Sequence, residues 1–300
     1  MSRVTRRDFL KSSVTAGALA GVAGSFTTAQ AARKSATDMV PLGNSGIEVT
    51  RLALGTGTFG GRIQRELPQE EFTKIVRHAY DRGIRFFESA DNYAEMHEKL
   101  ALALKGIPRD SYKLMTKMRW RGGEEEPKAA LDRFRQELNS DYFDIVLIHC
   151  VRTPNWPEEL QRLRDEFSEA KQKKIMLAHG ASVHGLLPLR AFPRTTDWLD
   201  VALLRINHDG TRMDTLREND GKAKGDVSEV VKHLKDVRRQ GTGIIGMKIM
   251  GEGAFTSPEQ RDASIKFVTG LGAVDSMTIG FKNTAEVDEA IALLDKHLNA

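Results

Sequence analysis

The sequence predicts a closed (β/α)8 TIM barrel with a short N-terminal β-hairpin cap. Eight short apolar runs recur at a period of roughly thirty residues, too short for helices and rich in aliphatic or β-branched residues. Charged segments with one apolar face separate them. Strands that alternate with helices in this way form parallel sheets through right-handed crossovers, and eight such units close on themselves.

In chain order, "VPLGNSGIEV" (40–49) places a Gly-Asn-Ser-Gly turn between short apolar flanks, which reads as a hairpin over the barrel floor. The strand candidates are "TRLALG" (50–55), "IRFFE" (84–88), "YKLMTK" (112–117), "FDIVLIH" (143–149), "KIMLAHG" (174–180), "DVALLRI" (200–206), "GIIGMK" (243–248) and "SMTIG" (276–280). After the first, Phe72, Ile75, Val76 and Ala79 share one helical face and Gly83 supplies a stop. Helical patterns also occupy 126–138, 157–172, 226–241, 257–270 and 284–298. The weakest are "HEKLALALKG" (97–106) and the stretch near 185–191. An open doubly wound sheet is the alternative. It would usually carry a G-x-G-x-x-G turn early in the chain, and "GTGTFGG" (55–61) does not fit that pattern.

Residues 1–31 are set apart from the barrel, which occupies 32–300 as one domain. "TRRDFLK" (5–11) has paired arginines, a small apolar stretch follows, and "AQA" (29–31) has the form of a cleavage site. The pattern is that of a twin-arginine export signal, which implies the export machinery as a partner and a periplasmic or otherwise exported destination. The apolar stretch is too short and too rich in Gly and Ala for a spanning helix, so no stable membrane anchor is expected. The segment holds Arg3, Arg6, Arg7 and Lys11 against Asp8, so it carries +3 of the chain's net +4. The remainder is nearly neutral and shows no basic run with interleaved aromatics, which argues against nucleic acid. Cys150 is the sole cysteine, which excludes an internal disulfide and a cysteine-based metal site. An exported chain without disulfides suits a route that carries folded proteins.

Chemistry in such a barrel sits at the C-terminal strand ends. Those ends carry Glu88, with Tyr93 in the loop behind it, then Lys117 and His149. The three strands are neighbours, so the four side chains can meet. A phenol with a pKa of about 10 holds its proton too firmly to be the best acid near neutrality. An adjacent ammonium is expected to lower that pKa, a carboxylate to hold the lysine, and a neutral imidazole to orient a carbonyl oxygen. Singly, each residue reads as well as a structural or solvated group. Together, at successive strand ends, they read as a proton-delivering site.

"LGNSGIEVTRLALGTGTFGG", "GIRFFESADNYAE", "YKLMTK", "DYFDIVLIHC", "HGAS" (179–182) and "TIGFKNTAEVDEAIALL" occur in that order. On these segments the chain resembles the aldo-keto reductase superfamily over nearly all of 32–300. The resemblance implies a (β/α)8 barrel that transfers hydride between NADPH or NADH and an aldehyde, ketone or alcohol, a sugar being one candidate. It implies Tyr93 as general acid, Lys117 as its partner, His149 as the carbonyl-orienting residue, and Glu88 in the place of the usual aspartate. A glutamate there adds a methylene and must fold back or displace Lys117, and about 1 Å of misplacement can cost a hundredfold in rate. Asp91 reads as a loop-structuring residue.

For the cofactor, the resemblance implies contacts at Gly55 and Thr56, at Ser182 for the nicotinamide amide, and at Asn207. Val183, Leu203 and Met247 stand where the family usually has Asn, Gln and a stacking aromatic. Lys248, Gly251 and Gly253 are placed at the pyrophosphate. Gly280 and Asn283 precede a helix N-terminus that favours phosphate, and Lys282 is the candidate for a 2′-phosphate. NADP(H) is favoured over NAD(H), and no metal is expected. Two other readings stay open: a degenerate barrel that binds a small molecule or partner without turnover, and a metal-dependent isomerase or hydrolase using His179, His184 and His208.

Overall fold

A computed structural model describes residues 33–120, 122, 125–216 and 223–300. The export-signal reading falls on residues 1–31, outside the described residues. Lys34–Ala300 forms one compact unit. Among the described residues, no helix is long and apolar enough to cross a membrane.

β1 (Met39–Pro41) and β2 (Glu48–Thr50) pair antiparallel, with Val40 opposite Val49. Eight parallel strands then close a barrel. They are β3 (Leu52–Gly55), β4 (Phe86–Glu88), β5 (Lys113–Met118), β6 (Phe143–Val151), β7 (Met176–Val183), β8 (Val201–Arg205), β9 (Gly243–Met247) and β10 (Ser276–Ile279). The order around the barrel is sequential, and β10 returns to pair with β3. The helices are α1 (Arg62–Glu66), α2 (Gln69–Asp81), α3 (Met96–Leu104), α4 (Pro127–Glu137), α5 (Trp156–Glu159), α6 (Gln161–Gln172), α7 (Leu186–Ala191), α8 (Val227–Arg239), α9 (Pro258–Gly270) and α10 (Thr284–Leu298).

Two apolar layers hold these elements, because alternate strand residues face opposite ways. Inward-facing Phe86, Met115, Ile145, Leu147, Leu203 and Ile245 fill the barrel, and Leu42, Ile47 and Val49 of the hairpin join the same cluster. The hairpin closes the floor, as the sequence predicts. Leu42 packs so near the start of β9 that a Cβ on Gly243 would lie 2.6 Å from Leu42 Cγ. Outward-facing residues such as Phe87, Leu114 and Val146 meet the helices. On α2 the buried residues are Phe72, Ile75, Val76 and Ala79. Gly83, at φ 99°, ends that helix in the left-handed region that favours glycine. Asp226, Ser257 and Asn283 cap α8, α9 and α10 through their side chains.

Candidate active site

A cavity of about 860 Å³ opens at the C-terminal ends of the strands and is lined by Glu88, Tyr93, Lys117 and His149 together. It lies in the upper part of the ~300–1,000 Å³ range of small-molecule sites. Glu88 is the last residue of β4. A 3-10 turn over Asp91–Tyr93 then lifts the phenol over the mouth, and the Tyr93 N–H donates to Ala90 O at 3.2 Å. Lys117 is the penultimate residue of β5. β6 runs two residues past His149, and Cys150 turns there with φ 64°.

Lys117 Nζ donates to Glu88 Oε1 in a direct ion pair, and to Ser89 O at 2.7 Å. Glu88 Oε2 accepts from Thr278 Oγ1 of β10 at 3.3 Å, reaching over β3, where Gly55 has no side chain. A Cβ on Gly55 would lie 2.8 Å from Glu88 Oε2 and 2.5 Å from Thr278 Oγ1. The extra methylene of the glutamate is thus directed into the room left by Gly55, and Lys117 keeps its partner.

Tyr93 stands in a slot between Gly57 and Gly61. A Cβ on Gly57 would lie 2.5 Å from Tyr93 Oη, and one on Gly61 2.8 Å from Tyr93 Cβ. Lys117 Nζ lies 4.9 Å from the centroid of the phenol ring, and the His149 ring stands edge-on to it at 5.6 Å. One expectation is corrected here, since the Tyr93 pKa is raised rather than lowered. Burial is the main cause, followed by Cys150, Glu252 and Asp91. The lysine does not outweigh it, because two of its three N–H groups go to Glu88 and Ser89 O and it sits at the ring face. Burial, then the Lys248 ammonium, hold Lys117 itself well below the usual lysine range.

Burial lowers the His149 pKa to about 4, with Asp91 opposing the shift. Asp91 Oδ1 is 3.8 Å from His149 Nδ1, beyond hydrogen-bond reach, while Asp91 Oδ2 accepts from the Arg119 N–H at 2.9 Å. Asp91 therefore orders the loop between β4 and β5. His179 is also lowered to about 4, mainly by burial. The unfolded chain takes up these protons near pH 6.5 and the folded chain does so only near 4. Stability from both histidines is present above about pH 6.5 and is lost as pH falls towards 4. Asp214, pushed up to about 6 by burial, acts in the opposite sense over the same window. The urea midpoint is expected to be lower at pH 4.5 than at pH 7. A smaller drop in His149→Gln would assign part of it to this ring, and an identical drop would assign it elsewhere.

Of the other predicted contacts, Gly55, Ser182, Met247, Lys248, Gly280 and Lys282 line the same cavity. Thr56, Asn207, Gly251 and Asn283 do not, and hold its walls instead. Thr56 Oγ1 donates to Glu88 O, and Asn207 Oδ1 accepts the Asp209 and Gly210 N–H groups. Asn283 Oδ1 caps α10 through the Glu286 N–H, and Gly251 turns the loop after β9 with φ 56°.

The sequence reading missed Thr278, Glu252 and several arginines. Glu252 Oε1 accepts from Lys248 Nζ at 2.5 Å and from the Phe59 N–H at 3.2 Å, and Glu252 Oε2 lies 3.7 Å from Arg212 Nε. Among the described residues, no three His, Cys, Asp or Glu side chains group as a metal site would. His179 stacks on Trp198, His184 contacts Arg205, and His208 packs on Phe255.

A family model described as the aldo/keto reductase family matches residues 51–293. The chain belongs to the aldo/keto reductase family. It is 27% identical over 170 residues to "Probable aldo-keto reductase 1" of Glycine max, a match that spans 51% of this chain and 49% of that protein. The fold also matches solved structures. A candidate aldo-keto reductase from Pseudomonas aeruginosa superposes with TM-score 0.68 at 21% identity, over 89% of this chain and 98% of that one. An aldo-keto reductase from Klebsiella pneumoniae in complex with NADPH gives TM-score 0.63 at 16% identity, over 86% and 90%.

Measured against the family pattern, this reductase-family chain differs on one side of the cavity. Leu203 pairs in register with Ser182 and lines the mouth, so an apolar side chain stands beside the serine. Val183 faces the outer apolar layer. Ser182 Oγ accepts the Cys150 N–H at 2.8 Å and keeps its own hydrogen to donate. The phosphate side fits a nicotinamide dinucleotide better. Lys248, Arg212 and Lys282 line it, and Gln64 Oε1, an acceptor buried in the same wall without a partner, can take a hydrogen from a hydroxyl or amino group of the dinucleotide. At Gly280 a Cβ would lie 2.4 Å from Thr58 Oγ1, so only a bare backbone fits that wall.

Proposed function

We propose that this chain is an exported NAD(P)(H)-dependent oxidoreductase that reduces an aldehyde or ketone, or oxidises the corresponding alcohol, with NADP(H) the favoured cofactor. The observation that carries the reading is the meeting of Tyr93, Lys117, Glu88 and His149 at one mouth. A bound nicotinamide would supply hydride to the carbonyl carbon. Tyr93 would deliver the proton to the carbonyl oxygen from Oη, which faces the cavity beside Gly57. Lys117 would stabilise the phenolate left behind, held in place by Glu88 and Ser89 O. His149 stays neutral near pH 7, and Asp91 is too far to fix its Nδ1 proton. Its ring can therefore carry hydrogen on Nε2 and donate it to the same oxygen.

Ser182 would hold the nicotinamide amide, Met247 would pack on its ring, and Lys248 and Arg212 would hold the diphosphate. Lys282 beside the α10 N-terminus, together with the NADPH bound to the Klebsiella relative, supports NADP(H). Export is supported by the paired arginines, the apolar stretch and "AQA", with residues 32–300 as the single mature domain in the periplasm or beyond.

Titrating the purified protein with NADPH and NADH by fluorescence tests the reading. NADPH is expected to bind more tightly, and failure of both to bind would sink it. Glu252 now occupies the cations expected at the diphosphate, so it competes with phosphate. Glu252→Gln is expected to tighten NADPH binding by about tenfold, because like charges brought together weaken association. Weaker binding would mean that Glu252 organises the loop for the cofactor.

A further inference from the structure

Three guanidinium groups, those of Arg119, Arg152 and Arg205, line the cavity beside His149 and His184. Arg119 is two residues beyond Lys117 at the end of β5, and Arg152 follows β6, which carries His149. Both belong to the immediate surroundings of the two histidines: the Arg119 charge acts on His149, and that of Arg152 on His184. The carboxylates nearby do not pair with the guanidinium groups of Arg119 and Arg152, and each keeps one buried oxygen without a hydrogen-bond partner. Asp91 accepts the Arg119 backbone N–H, and Asp214 Oδ1 pairs with Arg205 at 3.3 Å. Among the described residues, the Arg119 side chain has no hydrogen-bond or ion-pair partner. That of Arg152 has only the Cys150 sulfur, at 3.3 Å. Two guanidinium forks are therefore left facing the cavity without an anion.

They are on the wrong side to serve the cofactor. In the order β10, β3, β4, β5, β6, β7, β8, β9, strand β5 lies diametrically across from β9, and β6 across from β10. The candidate phosphate ligands Lys248 and Lys282 follow β9 and β10. Arg119 and Arg152 thus stand across the mouth from the dinucleotide phosphates, on the side of Lys117 and His149. A guanidinium recognises a planar or tetrahedral oxyanion through paired N–H groups, and a partly buried one without a counter-charge favours a ligand that brings it.

We propose that the substrate is a carbonyl or alcohol compound that also carries an oxyanion, a carboxylate or a phosphate, held by Arg119 and Arg152. This rests on the oxidoreductase reading and narrows its substrate class. The carbonyl oxygen then sits between His149 and Tyr93, with the anionic group turned towards the β5 and β6 rim.

Calorimetry on the chain from residue 32 onward, without cofactor, tests this with 4-formylbenzoate against the neutral 4-formylbenzamide, and glyceraldehyde 3-phosphate against glyceraldehyde. The anionic member of at least one pair is expected to bind tighter by about tenfold or more, the effect of one charge-assisted hydrogen bond. Preference in the first pair alone marks a carboxylate site, and in the second alone a phosphate site. Arg119→Gln/Arg152→Gln is expected to abolish the preference, with its fold checked by circular dichroism. Arg152→Lys, which keeps the charge but loses the fork, is expected to retain part of it. Equal binding of acid and amide and of phosphate and parent aldehyde, or an unchanged preference in the double variant, overturns the proposal. Anion preference without NADPH binding would leave this site standing and remove the reductase reading, and NADPH binding without anion preference would do the reverse.

Discussion

Replacing Tyr93 with phenylalanine is expected to lower kcat by about 10²–10⁴-fold, the usual contribution of a positioned general acid. The affinity for NADPH is expected to stay within about twofold, since no interaction with the cofactor is assigned to the hydroxyl. Phenylalanine keeps the ring that fills the Gly57–Gly61 slot and packs against His149. Loss of rate with retained folding would therefore report the hydroxyl alone. Single-turnover reduction of an aldehyde, followed by NADPH absorbance, measures the chemical step apart from product release. Turnover at the parent rate would show that another group gives the proton. The raised pKa of Tyr93 adds a second readout. A buried phenol keeps its proton far into the alkaline range, so the rate of reduction should not fall through ionisation of Tyr93 near pH 10.

The second large effect is on stability. Lys117 and Glu88 are almost wholly buried, with side-chain exposures of 2% and 4%. Lys117→Met would leave the Glu88 carboxylate buried with Thr278 as its remaining side-chain partner. Breaking a buried pair in this way costs about 3–5 kcal/mol, because one charge is left uncompensated. Lys117→Met/Glu88→Leu removes both charges and is expected to recover most of that loss, since apolar replacements of a buried pair are often neutral or better. Urea midpoints of the parent, the single variant and the double variant test this. A double variant no more stable than the single one would show that the pair is not the source of the cost. Neither variant is expected to reduce carbonyls at an appreciable rate.

The barrel was legible because strand and helix have different apolar periods. "FDIVLIH" and "PQEEFTKIVRHAYDRG" can hardly be confused, and their order sets the topology. Glu88, Tyr93, Lys117 and His149 were legible because each sits at or just beyond a strand end, which the fold places at the mouth. What stayed hidden depends on contacts between distant segments. No local pattern joins Glu252 to the Phe59 N–H, 193 residues away, or sets the Thr278 hydroxyl on Glu88. The direction of the Tyr93 shift was missed for a related reason. Proximity to an ammonium can be read from spacing, whereas how that ammonium spends its donors cannot. Asn207 and Asn283 were expected at the cofactor and do not line the cavity, because a sequence does not show that a side chain has already been used to build a turn or cap a helix.

The hydrogen bond from Thr278 to Glu88 bears on how the site comes into being. Glu88 lies in the second barrel strand to be synthesised and Thr278 in the eighth, 190 positions further along the chain. An N-terminal half-barrel would contain Tyr93, Lys117, Glu88 and His149, yet the carboxylate that holds the lysine would lack its far support. The site is therefore finished by ring closure itself, when the last strand docks against the first. A chain that stops short of Ser276 would carry every proposed proton-transfer group and still lack the hydroxyl that supports the Glu88 carboxylate.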